Sequence, residues 1–231
     1  MEYHRHSIQR TMNIPTTTAK YFRVRIKSAA KGKDDKCHIC IPLLILSPVH
    51  RVELSAEKSG FAFNRFMNQY ETPQSNNASK LDEDVDLTNK VNNGVLTWDV
   101  PEGDWRIFRF GYGLTGSNNG PASPEATGLE VDKMNPEAIR RFYNNYLDSY
   151  VDASQGMIGE KGITYILNDS FEAGAQTWTK EMVNEFQKRR GYNLLPWLPA
   201  LTGIIINSSE ETERFLFDWR KTIGEMIAEY H

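Results

Sequence analysis

The chain has 231 residues, of which 39% are hydrophobic and 25% charged, with a formal net charge of −3. That balance can bury a sizeable core as one large domain or two small ones. The weak acidity and the absence of a long basic run argue against nucleic acid or an anionic membrane surface as partner, and favour a small-molecule or carbohydrate substrate.

The opening stretch from Met1 to Asn13 is polar, carries His4 and His6, and lacks the apolar run of a secretory leader, so a removed leader or a start inside a longer protein is expected. The apolar run Ile41 to Leu46 is too short to cross a bilayer. Tyr21-Phe-Arg-Val-Arg-Ile26, Ile39 to Leu46 and Arg51-Val-Glu-Leu54 read as strands of a small sandwich-like module over residues 1–72. Lys31-Gly-Lys-Asp-Asp-Lys36 between the first two reads as a solvated turn. Cys37 and Cys40, as Cys-His-Ile-Cys, supply half a zinc site or a redox pair. No second pair completes such a site, so two small apolar side chains on a strand is the favoured reading.

From Gln69 to Asp84 the composition shifts to Pro, Ser, Asn and acids, which places a linker or long loop over residues 73–93. Residues 94–231 then form the second expected unit. Gly94 to Pro101 and Asp104 to Gly111 read as two strands around the turn Pro101-Glu-Gly103. The stretch from Gly113 to Gly128 is too long for a tight turn and reads as a functional loop leading to Glu130 and Asp132. Asn135-Pro136-Glu137 starts a helix, with a capping side chain, a proline at the first position and an acid at the positive end of the dipole. Ile139, Phe142, Tyr143, Tyr146, Leu147, Tyr150 and Val151 follow at helical spacing, an aromatic stripe expected to pack into a core.

The run Ile163-Thr-Tyr-Ile-Leu-Asn-Asp-Ser-Phe-Glu172 reads as a buried strand that delivers Asp169 and Glu172 at its carboxyl end, where α/β enzymes keep their chemistry. A helix follows from Thr179 to Arg190, stopped by Gly191. The β-α-β-α order argues for parallel strands, as in a TIM barrel or an open doubly wound sheet, with the loops of Glu130 and Asp132 and of Asp169 and Glu172 on one face. Leu195-Pro-Trp-Leu-Pro199 reads as a kinked short element, and Ile204-Ile-Ile206 as a strand or a buried crossing. Ser208 and Glu211 have capping-box spacing ahead of a long helix with Phe215, Leu216, Trp219, Ile223, Met226, Ile227 and Tyr230 on its apolar face. Two convincing βα units fall short of a closed barrel of about 250 residues, so the chain reads as part of a larger enzyme.

The segments Val100 to Gly111, Gly128-Leu-Glu-Val-Asp-Lys-Met134, Asn168-Asp-Ser-Phe-Glu-Ala-Gly174 with Gln176-Thr-Trp-Thr179, and Phe186 to Tyr192 resemble glycoside hydrolase family 106, the α-L-rhamnosidases. The resemblance takes in Leu198 to Gly203 and Glu213 to Arg220, and extends loosely to the first third as an accessory β-module. It implies a TIM-like (β/α) barrel and an inverting, calcium-dependent hydrolase that removes terminal α-L-rhamnose from plant polysaccharides, working in the periplasm or outside the cell. Glu172 is then the candidate catalytic carboxylate, as general acid. Phe171 stands where the family more often carries Trp, a change that leaves the acid in place and bears on sugar contacts. A rhamnose-containing saccharide and the remainder of a longer chain are the implied partners.

The chemistry of the motif agrees, because an inverting glycosidase needs a protonated acid and a carboxylate base about 6.5–9.5 Å apart. Desolvation beside Phe171 and Trp178 would raise the pKa of Glu172, as suits a proton donor. Asp169 either holds a sugar hydroxyl or orients Glu172, or simply caps its loop. Glu130 and Asp132 are candidates for rhamnose hydroxyls or a hard cation, or are solvated loop acids. Trp178 is a sugar platform or a wall of the core. The second catalytic carboxylate and the calcium ligands are expected from later barrel strands. A non-catalytic carbohydrate-binding or structural fragment is the competing reading.

Overall fold

The computed structural model describes residues 10–25, 41, 43–62, 69–167 and 174–230. Cys37, Cys40, Asp169, Phe171 and Glu172 lie outside these residues. Four helices order the described chain: α1 over Ser55–Lys58, α2 over Pro136–Ala153, α3 over Met182–Arg190 and α4 over Ser209–Tyr230. None is long and apolar enough to cross a membrane.

The core belongs to the last third. Met182 and Phe186 of α3, Leu194, Leu198 and Leu201 of the intervening segment, and Phe215, Leu216, Trp219 and Met226 of α4 are buried together. The Leu195–Thr202 stretch turns as a tight 3₁₀ helix, with Pro196 at its start and Pro199 inside it, and it ends at Gly203 in the left-handed region (φ 92°). A tighter helix suits a segment whose two prolines lack the N–H that α-helical bonding needs. Ile204-Ile-Ile206 is the buried crossing of the two alternatives, tied by a single parallel bridge between Ile206 and Ser79.

Local signals account for where α2 and α4 start and where α3 stops, whereas α3 begins at Met182 rather than at the expected Thr179, with no side-chain cap at Glu181. Asn135 caps α2, its side chain accepting the N–H groups of Glu137 and Ala138 at 3.0 and 3.1 Å. The α3 helix ends at Gly191 (φ 84°), whose N–H reaches the Gln187 carbonyl at 2.9 Å. Ser208 makes half of the capping box: its hydroxyl accepts from the Glu211 N–H at 3.1 Å, while the Glu211 carboxylate accepts from the Asn207 side chain at 2.8 Å. The α3 and α4 helices are then clamped by charge. Arg189 pairs with Glu185 at 3.0 Å and with Glu229, Arg190 pairs with Glu225, and the Tyr192 hydroxyl donates to Asp218 at 3.1 Å. Burial, reinforced by the Asp218 charge, pushes the Tyr192 phenol above its ordinary value.

Residues 50–60 close over this core. The Val52 N–H donates to the Gly203 carbonyl at 2.9 Å, and the Trp219 indole N–H donates to the Ser59 carbonyl at 3.0 Å. Lys58, only 2% exposed, is paired with Glu213 of α4.

The strands differ most from expectation. The one sheet among the described residues is an antiparallel hairpin of β1 (Val91–Asn92) and β2 (Val95–Leu96), in register Val91 with Leu96. Its turn is Asn93-Gly94, both at positive φ, the conformation that matches the twist of a two-residue hairpin. The architecture is thus mixed α/β with a small antiparallel sheet. Residues 21–25, 43–46 and 104–110 form no strand, and Arg51 to Leu54 bends into α1 through Leu54 at φ 50°. The expected buried strand from Ile163 is likewise unpaired and exposed, with Tyr165 at 85% and Leu167 at 86%, apart from one bridge between Ile158 and Ile163. Strands of a parallel sheet take their hydrogen bonds from neighbours on both sides, and no such neighbour is present for these segments among the described residues. The aromatic stripe of α2 is also corrected: only Ile139 is buried, while Phe142 stacks on Tyr146 and Tyr146 meets Tyr150 edge-on, each with nearly half its surface exposed.

Candidate functional site

Two loops meet where chemistry was expected. The loop after Gly128 and the segment 174–179 are far apart in sequence, yet they are stitched together by side chains. Gln176 spans the gap with both ends of its amide: its oxygen accepts the Lys133 N–H at 3.2 Å and its nitrogen donates to the Val131 carbonyl at 3.3 Å. Asp132 completes the seam, one oxygen accepting the Met134 N–H at 3.0 Å and the other the Thr179 hydroxyl at 2.7 Å. Both oxygens of Asp132 are therefore engaged inside the chain. Thr179 is buried, so removing its acceptor leaves a hydroxyl to desolvate alone. Asp132→Ala is expected to cost about 1–3 kcal/mol of unfolding free energy, read by urea denaturation.

Glu130 sits beside this seam and forms a close ion pair with Lys133, Oε2 to Nζ 2.7 Å, with both side chains largely shielded. Trp178 is partly buried and held between two rings, Tyr112 at 5.8 Å and Trp219 at 6.1 Å between centroids. That placement joins the wall of the core to an exposed tyrosine. The structure thus brings Glu130, Asp132 and Trp178 into one neighbourhood, adjoining the segment that leads from Glu172. Gln176 and Thr179 were not singled out from the sequence as site residues. They fall in the segment Gln176-Thr-Trp-Thr179 that carries the family resemblance, which does not reveal a partner more than forty residues away.

A cleft of ≈ 210 Å³ opens on the far side of Gln176, between Gly60, Gly174, Thr177 and the α4 side chains Arg220, Ile223 and Ile227. Gly60 (φ 80°) lets the backbone turn beside it. Arg220 donates to the Lys58 carbonyl, and burial pulls its guanidinium below its ordinary pKa while Glu213 opposes that shift. Among the described residues no three Asp, Glu, His or Cys side chains converge as a metal site. With Glu130 on an ammonium and Asp132 doubly engaged, these donors do not fit a calcium ion.

The sequence model of glycoside hydrolase family 106, described as α-L-rhamnosidase, matches residues 8–231. The chain is similar to the solved rhamnosidase of Novosphingobium sp. PP1Y, with a TM-score of 0.68 and 35% identity over 81% of this chain and 18% of that one. It is also 40% identical over 147 residues to a curated protein of Formosa agariphila named "Putative beta-glucuronidase", a match that covers 63% of this chain and 13% of that protein. The chain spans under a fifth of either relative. With nearly its whole length matched, the chain belongs to glycoside hydrolase family 106, the α-L-rhamnosidases.

Proposed function

We propose that this chain is part of a larger glycosidase that removes terminal α-L-rhamnose from plant polysaccharides by inversion. The observation that carries the reading is the family match over residues 8–231, supported by likeness to a solved rhamnosidase. In this reading residues 94–231 contribute the first units of a TIM-like (β/α) barrel, and residues 1–72 an accessory module joined through 73–93. The enzyme acts in the periplasm or outside the cell.

Glu172 is the general acid, protonating the glycosidic oxygen as the bond breaks. Asp169 orients Glu172 or holds a sugar hydroxyl, and Trp178 offers its ring to the sugar. Asp132 acts through the seam that it builds with Gln176 and Thr179, and Glu130 stands beside that seam, paired with Lys133. The base that activates water comes from a later barrel strand, about 6.5–9.5 Å from the acid. A calcium ion is implied by the family resemblance, with its ligands drawn from later barrel strands.

The anomer first released tests the mechanism. In the longer enzyme, inversion of an α-L-rhamnoside gives β-L-rhamnose first by proton NMR, whereas α-L-rhamnose as first product would rule inversion out. The Formosa relative, named for β-glucuronidase, favours a second reading in which the substrate is a uronide.

A further inference from the structure

We propose that the cleft between Lys58, residues 70–74 and the outer face of α4 is a second saccharide-binding site, selective for neutral pyranoses over uronates. It encloses ≈ 450 Å³, about twice the volume beside Gln176, and Arg220 is the one residue that lines both.

Its floor is polar and fixed. Lys58 donates to the Tyr70 carbonyl at 2.5 Å and is paired with Glu213, which also accepts the Thr72 hydroxyl. Lys58 and Thr72 are buried, so these groups are held in place before any ligand arrives. Preorganised donors and acceptors of this kind suit a polyol, whose hydroxyls both give and accept hydrogen bonds. Gln74 and Glu71 add a neutral amide and a carboxylate on the same side.

The rim is aromatic where a helix surface would ordinarily be polar. Phe217 lies on the face of α4 away from Phe215, Leu216 and Trp219, and it is 56% exposed, while Tyr70 opposite is 49% exposed. An apolar ring beside fixed polar groups matches a pyranose, which has a C–H face and a hydroxyl edge; the methyl group of a 6-deoxy sugar adds to the apolar face. Charge disfavours the acidic alternative: Glu213 is paired with Lys58 and Glu210 with Arg214, which leaves Glu71 as the lining carboxylate outside these pairs to repel a uronate. Choosing a sugar among polyols rests on the glycosidase reading above.

The experiment is a titration of the ¹⁵N-labelled 231-residue chain with methyl α-L-rhamnopyranoside and, separately, with the sodium salt of methyl β-D-glucuronide, followed by amide shifts. The rhamnoside is expected to move the Gln74, Phe217 and Arg220 amides saturably, and the glucuronide to bind at least tenfold more weakly. Phe217→Ala and Tyr70→Ala, both at exposed rings, are expected to keep the melting temperature and lose at least tenfold in affinity. Glu172→Gln is expected to leave this affinity unchanged, which separates binding at this cleft from any loss at the hydrolytic site. No saturable shift at these amides, affinity within twofold of the parent in Phe217→Ala, or equal binding of the glucuronide overturns it. Loss of the binding in a longer enzyme also overturns it, because the cleft is then an internal contact.

Discussion

Replacing Glu172 by Gln is expected to cut hydrolysis of a rhamnosyl saccharide by the longer enzyme roughly 10²–10⁴-fold, the contribution usual for a positioned general acid. The loss depends on the leaving group. A sugar or alkyl alcohol departs badly unless protonated, whereas a nitrophenolate needs little help, so the same variant retains far more activity on a nitrophenyl rhamnoside. A carboxylate that serves as base instead activates water for both substrates, and its loss is equally severe on both. Rates on the two substrate types, with melting temperature as the control, separate acid from base and either from a structural role. Equal rates in variant and parent on both substrates would remove Glu172 from the mechanism.

Trp219→Ala is the second large effect. The indole is 1% exposed, lies against Trp178 in the main core, and donates to the Ser59 carbonyl at 3.0 Å. Truncating a buried aromatic of this size costs about 3–5 kcal/mol, and here it also strips a buried carbonyl of its donor. Domain stabilities of about 5–15 kcal/mol leave little margin for that, so the variant is expected to be largely unfolded in mild urea. Trp219→Phe keeps most of the packing and loses the hydrogen bond, for about 1–3 kcal/mol. A Trp219→Ala midpoint equal to that of the parent would show that residues 50–60 are not fastened to α4 as described.

What was legible in the sequence follows from where each element finds its hydrogen bonds. The α2, α3 and α4 helices bond within themselves and are bounded by local chemistry, so Asn135-Pro136-Glu137, Gly191 and Ser208 announce them correctly. Strands depend on partners elsewhere, and apolar runs such as Ile163 to Leu167 fit a buried strand by pattern yet lack neighbours among the described residues. The hairpin that does form is signalled by Asn93-Gly94, a two-residue turn that the reading splits between the end of the linker and the start of a strand. Periodicity on α2 exposes a stripe but not what covers it, which is why Phe142 and Tyr146 were expected inside.

The candidate site was legible by type more than by role. A carboxylate on a loop can face a substrate, a cation or its own backbone, and Asp132 takes the last course through Met134 and Thr179. Gln176 falls in a segment that carries the family resemblance, but its bridging role is not legible there, because its two partners are backbone groups of a distant loop, which no side-chain pattern records.

The measurement closest to the central claim is side-by-side hydrolysis of an aryl α-L-rhamnoside and an aryl β-D-glucuronide by the longer enzyme. Turnover of the rhamnoside, with the glucuronide untouched, is the predicted result. Turnover of the glucuronide in place of the rhamnoside would contradict the account and give the site to a uronide.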